Sequence, residues 1–460
     1  MSFEGEFASY EPLRRLRDSE KVKNLEKRFR VRKRNTEDGN FDLDLVTIDD
    51  VVKSELAPDL VLAIDGSYMA APAENGFPGA EFGYVTVSSV LIDLNKVKEI
   101  ESKDFIDPRE FRKTERTSTI DSVFPGCNII LDNEKDAKSS MRKALLEELR
   151  SNKVFKNGET LLETYKYLLS IKREKKIKDK RPPKSPIEGF SHTPMQYSKS
   201  GEEVFICQHS GELLYCTDAL RLHELMNPAG TNGEMYGQIM STLEKLWLVH
   251  ILRGFESNGW LSSLRRVAFI MDGPLAVFST SSWLTKVISY ELGRINEKQK
   301  KINGSDLLIV GIEKSGTFVN HFEQLDTSSE GSTGNFPLQS ALLVDDNYIK
   351  KNIIFSESQK PYGKDTYFGR KFFYKTNSGQ RLVAVAASYN AQQSDIRTAT
   401  INQFSRLGDT MNLLNDLVSS RYPNSVSPLI SAHAEASIPM SIGARIFEDI
   451  AREIRDRNDE

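Results

Sequence analysis

The chain has 460 residues, 39% hydrophobic and 28% charged, with a formal net charge of -3. That composition is globular, and it excludes nucleic-acid binding by bulk positive charge, so any such contact must rest on a local patch. The 3 cysteines argue against a disulfide framework; the acidic start, Met1–Ser2–Phe3–Glu4–Gly5–Glu6, has no apolar signal segment, and no run approaches the roughly 18 apolar residues of a membrane span, so the expectation is a cytoplasmic protein.

Residues 10–34 are dense in Lys and Arg, with Leu13, Leu16, Val22, Leu25 and Phe29 at helical spacing. They predict a basic helix, either solvated over a thin apolar stripe or acting as an arm toward phosphate or a partner protein. With the acidic, polar stretch 35–57, read as a linker, they form a segment 1–57 ahead of a main domain, 58–460. The run Val61–Leu62–Ala63–Ile64 has strand length and stops on Asp65–Gly66–Ser67, read as turn chemistry. A carboxylate buried at a strand end is costly unless a cation neutralises it, and a divalent metal is the usual solution. Residues 74–79 read as a loop, and Tyr84–Leu94 as a second strand beside the first.

An insertion is expected over about 95–235. It begins mixed and charged (95–135), continues with amphipathic helices at 138–150 and 159–170, and reaches a basic, proline-broken run, 171–186. That run reads as a solvated loop or an electropositive lip for a single strand. Two short strands, 203–207 and 212–217, flank His209–Ser210–Gly211 as a hairpin. Cys207, His209, Cys216 and His223 lack a standard zinc spacing, and small buried cysteines explain them more simply.

Residues 235–256 form a long, largely apolar helix carrying Glu244, either facing out or buried as a ligand; Glu234 and Glu256 flank the same helix as competing acids. The run Val267–Ala268–Phe269–Ile270–Met271 then stops on Asp272–Gly273–Pro274, a second strand ending in Asp-Gly. A helix at 282–293 and a strand from Leu307 ending in Glu313–Lys314–Ser315–Gly316 follow, and then 341–349. A hairpin, 370–376 with 381–388, turns at Asn377–Ser378–Gly379–Gln380. Tyr422–Pro423 precedes a helical stretch with Ala432–His433–Ala434–Glu435–Ala436, and an amphipathic helix through Ile446, Ile450 and Ile454 closes the chain. The order predicts a mixed α/β fold around a sheet.

The polar groups ending buried-looking elements are Asp65, Glu244, Asp272, Lys314, Tyr374 and His433. Three carboxylates and an imidazole suit one or two cations such as Mn2+ or Mg2+. Cations so held serve in-line phosphoryl displacement, with a lysine and a tyrosine to meet phosphate charge.

The ordered set Ala63–Ile64–Asp65–Gly66–Ser67, Leu243–Glu244–Lys245–Leu246, Phe269–Ile270–Met271–Asp272–Gly273–Pro274–Leu275, Val310–Gly311–Ile312–Glu313–Lys314–Ser315, Phe372–Phe373–Tyr374–Lys375 and Tyr422–Pro423 with Ala432–His433–Ala434–Glu435–Ala436 resembles the NurA nuclease family. The resemblance implies an RNase H-like mixed sheet with flanking helices and a Mn2+-dependent deoxyribonuclease, with Mg2+ as the alternative ion. It also implies a homodimer that works on DNA with a HerA-type hexameric ATPase in end processing or in defence against foreign DNA. It assigns Asp65, Glu244, Asp272 and His433 as metal-binding and catalytic residues, Lys314 and Tyr374 to phosphate or DNA, and Ser67 to support of the site. Asp-Gly-Pro at 272–274 departs from the Asp-Gly-Ser typical of the family.

Other classes fit worse. A haloacid-dehalogenase-type phosphotransferase needs a second Asp where Ser67 stands, and an actin-like ATPase needs a residue between Asp65 and the following glycine. Glu313–Lys314–Ser315 has no glycine before the lysine, so it is not a P-loop, and Gly-x-Ser-x-Gly is absent. The non-enzyme alternative is an inactive RNase H-like adaptor that docks on a DNA translocase; buried carboxylates at 65, 244 and 272 argue against it.

Overall fold

The computed structural model describes residues 10–30, 44–54, 57–73, 79–101, 115–179, 183–187, 201–327, 334–418 and 425–437, with Ile446 and Asp449. Most of the loop 74–79, Tyr422–Pro423, and most of the expected closing helix, Ile450 and Ile454 included, lie outside the described residues.

The basic segment is not one helix. It starts with α1 (Glu11–Asp18) and continues in two further four-residue pieces, and among the described side chains of all three none is buried. Leu13, Leu16, Leu25 and Phe29 are all exposed; the rest of the segment, from residue 31, lies outside the described residues. The stretch read as a linker contains a strand, β1 (Leu45–Thr47), and packs on the main body: Ser54 donates from its backbone N–H to Asp409 Oδ1 at 2.8 Å.

β2 (Leu60–Pro72) and β3 (Glu81–Asp93) pair antiparallel along their whole length. Asp65–Gly66–Ser67 is therefore mid-strand rather than a turn, because β3 continues to satisfy its backbone. Beside β3 lies β4 (Glu115–Pro125), hidden in the sequence because its exposed edge is polar and shows no apolar run. The cysteine hairpin is β5 (Val204–Ile206) with β6 (Leu213–Tyr215). β7 (Val267–Asp272) runs parallel to β2, and β8 (Leu308–Glu313) parallel to β7. β9 (Ser340–Leu343), β10 (Gly369–Lys375) and β11 (Arg381–Ala387) complete a sheet that, among the described residues, has nine strands in the order β1-β9-β10-β11-β8-β7-β2-β3-β4.

Strand alternation splits the core between the two sheet faces. Leu62, Ile64, Val85, Val87, Phe269 and Met271 face α2 (Ala137–Ser151), α3 (Leu161–Glu174), α4 (Gly233–Ser257) and α5 (Leu284–Asn303). Val61, Ala63, Val90, Ala268, Ile270, Val310 and Ile312 face the other way. They meet Leu407, Met411 and Leu414 of one helix and Leu429 and Ala432 of another. α6 (Thr317–Asp326) covers the β9–β10–β11 end through Phe318 and Phe322; the helices that supply these residues on the second face are α7 (Leu407–Leu417) and α8 (Ser427–Ala436), and Leu94 of a further short helix joins them. The helices expected at 138–150, 159–170 and 235–256 are all present, while α5 outruns its expected end by most of three turns.

The predicted insertion helices α2 and α3 thus build one face of the sheet. Arg142 of α2 grips Asp218 with two 2.7 Å hydrogen bonds in a buried pair, tying down the segment after β6. The basic run also begins packed: Lys172 is buried and pairs with Asp179 at 2.9 Å. Its residues 180–182 lie outside the described residues. Cys207 and Cys216 are buried, and burial pushes the Cys216 thiol up to about 12. No helix among the described residues is long and apolar enough to cross a membrane.

His250 is buried in α4. Its Nε2 accepts from the Val154 N–H at 3.3 Å, so Nδ1 carries the proton toward Thr164 Oγ1 at 2.7 Å. Burial lowers it from 6.5 to about 4, and does the same to His223. The unfolded chain therefore binds more protons between those values, and stability rises with pH across that window. We expect urea unfolding to show stability falling by about 1.4 kcal/mol per pH unit per histidine as pH drops from 6.5 toward 4. His250→Gln should flatten that slope; an unchanged slope would show that the ring is not held neutral.

Candidate active site

The pairing of β2 with β7 ends at Ile64–Met271, so Asp65 is the first residue beyond the parallel partner. By alternation Asp65 falls on the face of Val61 and Ala63. Asp272, closing β7, falls on the face of Ala268 and Ile270, and Lys314, just past β8, on that of Val310 and Ile312. All three thus stand on the face that α8 covers, outside the carboxyl ends of β7 and β8, the usual place for ligands in such sheets. α8 is held down by Leu429 and Ala432 in the core, by Thr86 Oγ1 donating to the Ala436 carbonyl at 2.6 Å, and by Ser431 Oγ donating to Glu115 Oε1 at 2.7 Å.

These anchors bring His433 over the acids. His433 Nδ1 lies 3.4 Å from Asp65 Oδ2, Lys314 Nζ lies 3.3 Å from the same oxygen, and Lys314 Nζ lies 2.7 Å from Asp272 Oδ1. Asp65 is 1% exposed, whereas the His433 side chain is 57% exposed and can meet a ligand from solvent. Asp65, Gly66, Asp272, Lys314 and His433 line one cleft together with Ser425, Ile430, Ala434 and Ser437.

Glu244 arrives from the opposite face. It lies on α4, buried, and Lys245 Nζ donates to its Oε2 at 2.7 Å. A Cβ on Gly66 would stand 2.7 Å from Glu244 Oε1 and 2.7 Å from Met240 Cγ. Gly66 is therefore a close-approach glycine: where it lacks a side chain, the helix carboxylate reaches the level of the sheet. Of the competing acids, Glu234 is exposed, and Glu256 is taken by Arg294 at 2.5 Å and Lys298 at 2.6 Å.

The electrostatics tie the groups together. Burial pushes the Glu244 carboxyl up against the pull of Lys245, and repulsion from Asp65 and Asp272 adds to it. Burial, then repulsion from Asp65, raises Asp272 against the pull of Lys314. Burial opposes the Lys314 charge, but Asp65 and Asp272 outweigh it and hold the lysine above its ordinary value. The hydrogen bond to Asp65 holds His433 above the usual imidazole value.

Asp65, Glu244, Asp272, His433 and Lys314 are thus brought to one place. Ser67, two residues along the same strand face as Asp65, is half-buried, and its carbonyl accepts from Thr86 Oγ1 at 3.3 Å. Tyr374 is a correction. It is buried on β10, two strands away from β8 and so roughly 10 Å across the sheet. Its hydroxyl donates to Asn415 Oδ1 at 2.9 Å, because a tyrosine closing a central strand points into the core beside α7 rather than to the cleft. Lys245 was missed, although an acid and a base adjoining within an apolar helical stretch were readable signals.

Among the described residues, no group of three or more His, Cys, Asp or Glu side chains stands ready at metal-ligating separation. Lys314 lies between Asp65 and Asp272, and Lys245 holds Glu244. The donor set nevertheless suits a hard cation. Asp272 Oδ1 is buried and makes no well-directed hydrogen bond despite the nearby ammonium, and Glu244 Oε1 faces the Gly66 gap. Gly66→Ala should displace Glu244, weaken Mn2+ binding about tenfold or more by calorimetric titration, and cost about 1–3 kcal/mol of stability. Unchanged Mn2+ affinity would remove Glu244 from the site.

The solved structures similar to this chain include the NurA nuclease from Sulfolobus solfataricus, at 13% identity over 97% of this chain and 97% of that one, with a TM-score of 0.32. A second NurA structure is 10% identical over 94% and 96%, with a TM-score of 0.27. A NurA structure with manganese is 10% identical over 94% of each chain, with a TM-score of 0.23. No curated protein matches the sequence. Residues 59–438 match the NurA domain model, a span that opens at the residue before β2 and closes just past α8. It takes in every element that supplies a group to the cleft, and the chain belongs to the NurA family.

Proposed function

We propose that the chain is a divalent-metal-dependent deoxyribonuclease hydrolysing phosphodiester bonds, with Mn2+ preferred and Mg2+ as the alternative. The observation that carries this reading is the meeting of Asp65, Asp272 and His433 around Lys314 at the strand ends, with Glu244 entering over Gly66. Family membership supports it, and so does the strand order β4-β3-β2-β7-β8, in which β3 alone runs against the direction of the other four, which fits an RNase H-like core.

Asp65, Asp272, Glu244 and His433 would hold the cation, which when bound supplies an activated water and neutralises charge on the phosphodiester. Lys314, at the rim of the cleft, is the fixed positive charge that a phosphate meets there. His433 would serve in one of two ways: neutral, it would complete the shell of the cation; protonated, the form that the hydrogen bond to Asp65 favours, it would give a proton to the leaving oxygen. With no P-loop in the chain, energy for movement along DNA would come from a HerA-type hexameric ATPase, on which a homodimer of this chain would dock to process ends or attack foreign DNA. At a net charge of -3, DNA is better held within a channel than on an open basic face.

Asp65→Ala should reduce Mn2+-dependent degradation of linear DNA to background while leaving the melting temperature and ATPase binding near wild type. EDTA should do the same to the wild-type chain. For His433→Ala a loss on the order of 10²–10⁴-fold is expected, since a positioned proton donor is removed but the acids remain. Full activity of Asp65→Ala would sink the assignment. If the wild-type chain bound the ATPase but cut no DNA with Mn2+, it would be an adaptor.

A further inference from the structure

The cleft does not stop at Lys314. Asp272 and Lys314 also line a second cavity, of about 380 Å³, on the other side of the strand ends. That volume lies within the roughly 300–1,000 Å³ of small-ligand sites. Its walls include Tyr362, Tyr367, Phe318 and Ile354, with Ser315 and Thr317 on the polar side.

The walls are built, not loose. The Tyr367 segment is tied to the chain following Asp272: Val277 N–H donates to the Thr366 carbonyl at 2.8 Å and Phe368 N–H to the Leu275 carbonyl at 2.9 Å. Tyr362 is fixed by its N–H donating to Asp346 Oδ1 at 2.6 Å, and its ring lies 5.6 Å from Tyr367 and 5.8 Å from Phe318. Both tyrosines are half-buried, presenting part of each ring to the cavity. Of the two acids in the lining, Asp272 pairs with Lys314 at 2.7 Å and Glu313 pairs with Lys371, whose ammonium also lies 3.7 Å from the centre of the Phe318 ring. The cavity therefore combines aromatic faces with a wall whose acids are paired, and it opens beside the two residues expected to meet a scissile phosphate.

We propose that this cavity holds the base of the nucleotide adjoining the scissile phosphate, unstacked from its neighbours and packed against Tyr362 and Tyr367. The proposal rests on the nuclease reading, because the shared Asp272 and Lys314 fix which nucleotide reaches the cavity. Stacking on tyrosine is tolerant of sequence, since every base has a π-face. The pocket accordingly selects an unpaired nucleotide rather than a particular base, and a duplex must open locally to fill it.

The test measures binding of fluorescein-labelled oligothymidylate to the full chain by anisotropy, in EDTA so that nothing is cut. An abasic oligonucleotide of equal length and a blunt duplex serve as comparisons. The wild-type chain should bind oligothymidylate about fivefold or more tighter than the abasic strand, the effect of one stacked base. Tyr362→Leu should reduce that ratio, Tyr362→Phe should keep it, and blunt-duplex affinity should stay unchanged in both. Ile354→Trp, at an exposed position on the lip, should reduce the ratio by filling the cavity, which covers the case that Tyr362→Leu fails to fold. An unchanged ratio in Tyr362→Leu or Ile354→Trp, an equal loss on duplex, or no abasic discrimination by the wild-type chain would each overturn the proposal. A chain that discriminates in EDTA yet never cuts DNA keeps the pocket and loses the nuclease reading. One that cuts DNA while Tyr362→Leu binds like wild type does the reverse.

Discussion

A buried carboxylate with a cation on either side governs this molecule. Asp65 is sealed among core residues, where an unpaired negative charge would cost several kcal/mol. Lys314 and His433 supply the compensation from elements hundreds of residues away in sequence. The sheet must therefore close with β8 two strands from β2, and α8 must dock across β2 and β3, before the charge at Asp65 is tolerable. Folding and assembly of the cleft are the same event.

The second constraint is steric. α4 can bring Glu244 to the sheet only where the strand lacks a side chain, and Gly66 is that place. Lys245, one residue along, offsets part of the burial cost of Glu244 at this depth, so the helix carries its own counter-ion into the core. Three acids and two lysines then meet at the strand ends. The ammonium groups occupy the space between the carboxylates, so among the described residues the acids converge without standing at ligating separation. Lys314, shared with the aromatic cavity, links this cluster to the space beyond it.

Much of this was legible in the residues. Apolar runs of strand length located β2, β3, β7 and β8, and helical periodicity located α2, α3 and α4. The acids stood out because each interrupts or ends an apolar run. What was not legible has physical reasons. β4 is an edge strand exposed to water, so its alternation is polar on polar. Asp65–Gly66–Ser67 looks like a turn because glycine serves turns and close packing equally well. Tyr374 matched an expected motif, but whether a tyrosine on a strand points into a core or a cleft depends on what covers that face, and here α7 does.

By itself, the sequence determined the kind of fold, the family and the identities of the groups with chemistry to offer, since those follow from local pattern and residue type. It could not determine that Asp65 and Glu244 approach from opposite faces of one sheet, that Lys314 rather than solvent faces the acids, or that aromatic rings from residues 318, 362 and 367 enclose a cavity next to them. Those are relations between segments far apart in the chain. They are decided by strand order, by which side of each strand a helix covers, and by charge compensation that exists only once the core has closed.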